Sequence, residues 1–148
     1  MAPVKEWFGA YNIIFNWFEE KYGYQALEEY WKYIGDNCFN DVVEKFKVEE
    51  LKGIQEYFEH TFDLDQGEYI SELYDDKLIF SVKKCPDYEF MKSSGNPYFE
   101  PIRNYCKHHE IINLIISEKS GYSFCMEECD GAGKCKWVFE KSDKAVCV

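Results

Sequence analysis

From Val4 to Phe18, apolar residues return every three or four positions, at Val4, Trp7, Phe8, Tyr11, Ile14, Phe15 and Phe18. The charged run Glu19, Glu20, Lys21 then leads to Gly23. A period near 3.6 that closes on glycine predicts an amphipathic helix ending there. A second helix is expected from about Gln25 to Cys38, with Leu27, Tyr30, Trp31, Ile34 and Cys38 on one face and Glu28, Glu29 and Lys32 on another. Asn40 and Asp41 are suited to cap a third stretch through Val42, Val43 and Phe46. It continues from Val48 to Phe62, with Leu51, Ile54, Tyr57, Phe58 and Phe62 on one side and Gly53 as its weak point. His60, near the end of that stretch, reads as a partner of the helix dipole.

At Glu68 the period changes to two. Residues Glu68 to Tyr74 and Lys77 to Lys83 flank Asp75-Asp76 and predict an antiparallel hairpin, with Leu78, Phe80 and Val82 facing the helices. Cys85 precedes Pro86 at the strand's end, where the chain is free to turn towards a pocket. Pro86 starts a short helix through Tyr88, Phe90 and Met91, which the run Ser93 to Pro97 ends. A longer helix is expected from about Tyr98 to Lys119, with Pro101 in its first turn. Its apolar face is centred on Tyr105, Ile112 and Ile116; Cys106, His109 and Asn113 line one edge, and His108 falls on the other. Alternation resumes from Tyr122 to Cys129 and from Lys136 to Lys141, joined by the glycine-rich turn Asp130 to Lys134.

The resulting fold class is α+β: a helical N-terminal layer packed on an antiparallel sheet built from two β-hairpins and crossed by a long Cys/His-bearing helix. Residues 1–64 form the helical scaffold, 65–141 the hairpin-helix-hairpin part, and 142–148 a tail that is polar until Val146-Cys147-Val148. The 148 residues suit a single domain. Hydrophobic residues make up 46% of the chain and aromatic ones 19%, far more than a disordered segment carries, so a packed core is expected.

A net charge of -11 repels phosphate and anionic lipid, which argues against nucleic acid or a membrane surface as partner. The first residues lack a basic region followed by an apolar run, and no stretch approaches a membrane span in length, so a cytoplasmic location is expected. Seven cysteines, an odd number, fit thiols or metal ligands in a reducing compartment better than a set of bridges.

Five of those cysteines, with His108 and His109, fall between Cys85 and Cys135. Cys106 and His109 stand one helical turn apart, and an imidazole at that spacing can take a thiol's proton or stabilise its thiolate. With Cys85 beside them they form a candidate catalytic site. The competing reading for any single one of these cysteines is a buried thiol acting as a small apolar residue. Cys125, Cys129 and Cys135 form a candidate zinc set, completed by Cys106, Cys85 or a histidine. Their spacing lacks the usual close pair, and Cys125 and Cys129 would lie ~13 Å apart on an extended strand, so a bend is required. Glu127, Glu128 and Asp130 are nearby acids whose simpler role is in the strand end and turn. Gly131-Ala132-Gly133 is a hairpin turn rather than a phosphate loop, because no Lys-Ser/Thr pair follows and no helix opens there.

A helical N-terminal half, a strand running into Cys85-Pro86, a helix bearing Tyr105-Cys106-Lys107-His108-His109 and a last hairpin with Cys135-Lys136-Trp137 together resemble the L-2-amino-thiazoline-4-carboxylic acid hydrolase family. The resemblance spans roughly Leu78 to Phe139. It implies hydrolysis of a non-peptide carbon-nitrogen bond by ring opening, with Cys85, Cys106 and His109 as the active-site residues. The leading expectation is therefore a small-molecule hydrolase with an aromatic-lined pocket between helices and sheet. The alternative is a non-catalytic, zinc-binding sensor or small-ligand domain. A third reading is a structural domain with inert thiols and an aromatic surface that pairs two copies as a homodimer.

Overall fold

The three N-terminal helices form where the 3.6 period runs. In the computed structural model, which describes residues 4–142, α1 spans Glu6–Tyr22, α2 Tyr24–Asn37 and α3 Asn40–Asp65. Gly23, at φ 92°, separates the first two in a backbone conformation that glycine adopts without steric cost. The rotation of α1 differs from the simple stripe. Trp7, Tyr11 and Ile14 are exposed, while Gly9, Asn12 and Phe15 face inward. Gly9 lies against the Phe99 ring, where any Cβ would collide. Asn12, fully buried, donates to the Glu100 carbonyl at 2.7 Å and accepts from the Ile102 N–H at 2.9 Å.

Those two hydrogen bonds also explain why the long fifth helix starts later than its periodicity suggests. The backbone flanking Pro101 is tied to Asn12, and Glu100, the residue before the proline, is extended at φ -60°, ψ 120°. A 3-10 turn, Pro97–Phe99, and an irregular stretch therefore occupy the first part, and the helix proper, α5, runs Tyr105–Ser120. Ahead of it, α4 spans Pro86–Ser93 with Pro86 in its first turn.

α3 is two helical segments meeting at Glu50, at φ 59°, ψ -147°. Gly53 sits inside this bend, and a Cβ there would lie 2.6 Å from that of Glu49 and 3.2 Å from the Lys45 carbonyl. The glycine thus permits the fold-back one turn after the break. Asn40 and Asp41 begin α3 without a side-chain cap, the cap position being Phe39. His60 is exposed.

The strands are β1 (Glu68–Leu73), β2 (Lys77–Lys84), β3 (Tyr122–Glu127) and β4 (Cys135–Lys141), all antiparallel in the order β1-β2-β4-β3. The two hairpins join through β2 and β4, where Phe80 pairs with Trp137 and Leu78 with Phe139. Alternation places Leu78, Phe80, Val82, Trp137 and Phe139 on the covered face, against Phe46, Ile54, Phe58 and Phe62 of α3 and Ile116 of α5. A second apolar cluster joins α1, α2, α4 and α5 through Phe15, Leu27, Trp31, Met91, Tyr105 and Ile111. The α+β architecture with helices on an antiparallel sheet is the expected one. Among the described residues no helix is long and apolar enough to cross a membrane. The tail from 143 onward, with Cys147, lies outside the described residues.

Candidate functional site

The end of β2, the start of α5 and the β3-β4 loop meet at one place. Cys85 follows β2 directly, Cys106 occupies the first turn of α5, and Cys135 opens β4. Cys129 comes from the loop, which bends at Glu128 (φ 51°) just before it. The loop is held by Asp130, whose Oδ1 accepts from the N–H groups of Ala132 (2.7 Å) and Lys134 (3.0 Å). Such an Asx arrangement closes the turn on itself.

The Sγ atoms of Cys106, Cys129 and Cys135 all lie within 4.8 Å of one another, with Cys129 and Cys135 2.9 Å apart. The N–H of Gly133 donates to Cys106 and that of Gly131 to Cys129. Gly133 is required there twice over. Its φ is +94°, and an added Cβ would lie 3.1 Å from the Cβ of Cys85 and 3.3 Å from that of Tyr88. A hydrogen bond from Cys135 brings the Cys106 thiol down to about 6 against its burial, helped by the positive charge of His109. The same bond, with burial, pushes the Cys135 thiol up. Burial raises Cys129.

A second group adjoins the first. Cys85, Asp87 and His109 also offer ligand atoms within 4.8 Å of one another. Asp87 is buried in the first turn of α4, and its Oδ2 receives the Tyr105 hydroxyl at 2.8 Å and faces His109 Nε2 at 3.2 Å. Its Oδ1 accepts from the Tyr88 N–H at 3.1 Å and from the Cys85 thiol. Burial works to raise the Asp87 carboxyl, but the two histidines and the donated hydrogen bonds hold it well below the usual carboxylate range. For His109, burial favours the neutral ring and the Asp87 charge outweighs it, so the imidazole is raised. Burial first, and Asp87 second, push the Cys85 thiol well above the ordinary cysteine range. Cys85 is a neutral donor in this arrangement and Cys106 the readily ionised thiol.

His108 is buried rather than peripheral. Its ring packs against Phe15, Trp31 and Tyr105, and lies 3.9 Å from that of His109. Its Nδ1 donates to the Tyr105 carbonyl. Burial, then the His109 charge, lowers its imidazole to about 3, so it is neutral. With the proton on Nδ1, Nε2 is an acceptor.

Beside both histidines lies a cavity of about 490 Å³ between the helical layer and the sheet. Aromatic and aliphatic side chains from α1, α2, α3 and α5 line most of it, with His108, His109, Asn113 and Trp137 as its main polar members. Cys106 is not part of that wall.

Of the expected catalytic residues, Cys85 and His109 thus share one group, while Cys106 belongs to the neighbouring thiol group. Of the expected zinc residues, Cys129 and Cys135 come together and Cys106 completes the three. Cys125, expected as a zinc ligand, lies outside both groups, buried on β3, and is disulfide-bonded, so it offers no thiolate to a metal and departs from the expectation of thiols and ligands rather than bridges. Asp87 escaped the sequence reading because an acid after proline at a helix start is satisfied by the dipole alone. The triplet Cys85-Pro86-Asp87, a thiol and a carboxylate two residues apart, was the available signal. In comparisons with protein families, curated proteins and solved structures, nothing matches the chain.

Proposed function

We propose that the protein is a zinc-holding, small-ligand-binding domain, with Cys106, Cys129 and Cys135 as thiolate ligands and the neighbouring cavity as the ligand site. The convergence of three thiols from separate segments carries this reading. Sulfurs this close repel one another when ionised, and a soft divalent cation relieves that repulsion. Backbone N–H groups donated to two of the sulfurs favour the anionic form that a metal needs. Three thiolates leave zinc one position for water or an incoming group. The Asp87–His109 pair stands beside the centre, where it fixes the ring that faces the cavity.

A second reading is favoured by one observation, the lowered Cys106 thiol close to a positively charged His109. Such a pair suits hydrolysis of a non-peptide carbon-nitrogen bond, as the thiazoline hydrolase resemblance implies. The Cys106 thiolate would add to the carbon of a ring C=N group, and the ring nitrogen would take the His109 proton. A second proton, from water, would let that nitrogen leave as an amine while a lone pair of the carbon's remaining heteroatom substituent stabilises the carbon. The hydroxide would then add there and expel the Cys106 thiolate, leaving a C=O group and returning one proton to His109.

Elemental analysis of protein purified without added metal, with thiol titration before and after chelation, separates the two. The first reading expects about one zinc per chain and three further thiols becoming reactive on chelation. Metal-free protein with one fast-alkylating thiol at Cys106 would overturn it in favour of the second.

A further inference from the structure

The cavity beside His108 is large enough for one or two rings, and interiors rarely leave such volume unfilled. Its polar wall is specific in kind. The Asn113 Nδ2 and Trp137 Nε1 groups are buried and, among the described residues, have no hydrogen-bond partner. Both residues line the cavity, and because an unpaired buried donor is costly, a small turn of either side chain towards an acceptor held in the cavity is favoured. His108 supplies the converse: its Nδ1–H is used by the Tyr105 carbonyl, and in that tautomer Nε2 is left as an acceptor. Asn113 follows His109 by one turn on α5, and the Trp137 ring lies 6.0 Å from that of His109, so these groups belong to one end of the cavity.

Charge narrows the class further. No Lys or Arg lines the cavity, His109 is already paired with Asp87, and the chain as a whole carries -11, so the wall holds no unspent cation for an anionic ligand. We infer that the cavity binds a neutral, mainly apolar molecule carrying one hydroxyl or carboxamide group. That group accepts from Asn113 and Trp137 and donates to His108, while its ring or branched alkyl part fills the apolar remainder. This inference rests on the cavity being the ligand site and is independent of whether the thiols hold zinc.

Three near-isosteric probes test it by NMR titration of the full chain: benzyl alcohol, ethylbenzene and benzoate. Benzyl alcohol is expected to bind about tenfold more tightly than ethylbenzene, the gain of roughly two net hydrogen bonds, and benzoate more weakly than either. The Trp137 indole N–H signal, assigned with Trp137→Phe, is expected to shift with benzyl alcohol and not with ethylbenzene. Asn113→Leu is expected to remove most of the tenfold preference while ethylbenzene binding stays within about twofold. Equal binding of the alcohol and the hydrocarbon, tighter binding of benzoate, or no response to any probe would overturn the inference. Zinc content measured on the same samples keeps this result distinct from the fate of the metal reading.

Discussion

The two sides of α5 are built on different terms. The thiol side gathers Cys106, Cys129 and Cys135 around a short loop, and its geometry is set by backbone: two glycine N–H groups, the Asp130 turn and the positive φ of Gly133. The cavity side is set by large side chains spread over four helices and β4, with few polar atoms, two of them unpaired among the described residues. His109 stands between them, in the second ligand group with Asp87 and in the cavity wall. A site held by a loop's backbone is sensitive to single substitutions and to metal. A site held by distributed packing tolerates single changes and responds to volume.

The largest effect expected from this contrast is metal removal. Chelation, or Cys129→Ser together with Cys135→Ser, should release zinc and lower the unfolding midpoint by roughly 10 °C, equivalent to ~3 kcal/mol for a chain of this size. Scanning calorimetry with and without chelator checks it, and an unchanged midpoint would break the link between thiols and stability. Gly133→Ala should follow, costing about 2–3 kcal/mol in urea unfolding through its left-handed φ and the contact with Cys85 and Tyr88. Gly131→Ala, at φ +73° with open space around it, should cost only about 1 kcal/mol. Equal losses would show that the close approach of the loop to Cys85 is unimportant.

On the cavity side, Ile112→Phe should fill volume rather than open it. Benzyl alcohol binding should weaken at least about tenfold, with zinc content unchanged and stability altered by less than about 1.5 kcal/mol. Retained ligand binding would move the site elsewhere.

The smallest effect near neutral pH concerns protonation, and it grows in acid. His108 is buried and neutral down to about 3, whereas an unfolded chain takes up the proton near 6.5. Stability should therefore fall as pH drops from about 6.5 towards 3, by up to ~1.4 kcal/mol per pH unit from this residue. His109, with its raised imidazole, works in the opposite sense: its contribution is complete below about 6.5 and is lost as pH rises through the higher folded value. His108→Phe should flatten the acid limb, while Asp87→Asn should abolish the alkaline one. Urea midpoints measured across pH would report both, and identical profiles for the two variants would contradict the assignment.

The architecture was legible because it depends on period. The switch from 3.6 to 2 at Glu68, and the facing set Leu78, Phe80, Val82, Trp137 and Phe139, are written in consecutive residues. The start of α5 was not, because it is decided by Asn12, ninety residues away from Ile102 in the chain. The rotation of α1 was hidden for the same reason: with aromatic residues on several faces, only Gly9 against Phe99 and the Asn12 hydrogen bonds choose one. At the site, the closeness of Cys106 to His109 follows from helical spacing, and the bend needed before Cys129 is supplied at Glu128. Asp87 and the His108 cage depend on tertiary contacts that no local pattern encodes.

The central claim is that three thiolates form one metal centre, and cobalt(II) substitution tests it most directly. Adding cobalt to chelated protein should give sulfur-to-cobalt charge-transfer absorption with the intense visible bands of tetrahedral coordination. These should be lost in Cys129→Ser and Cys106→Ser, displaced by zinc, and kept on substitution of the exposed free thiol in Cys38→Ser. Weak octahedral bands without sulfur charge transfer, or a spectrum indifferent to Cys106 and Cys129, would contradict the account.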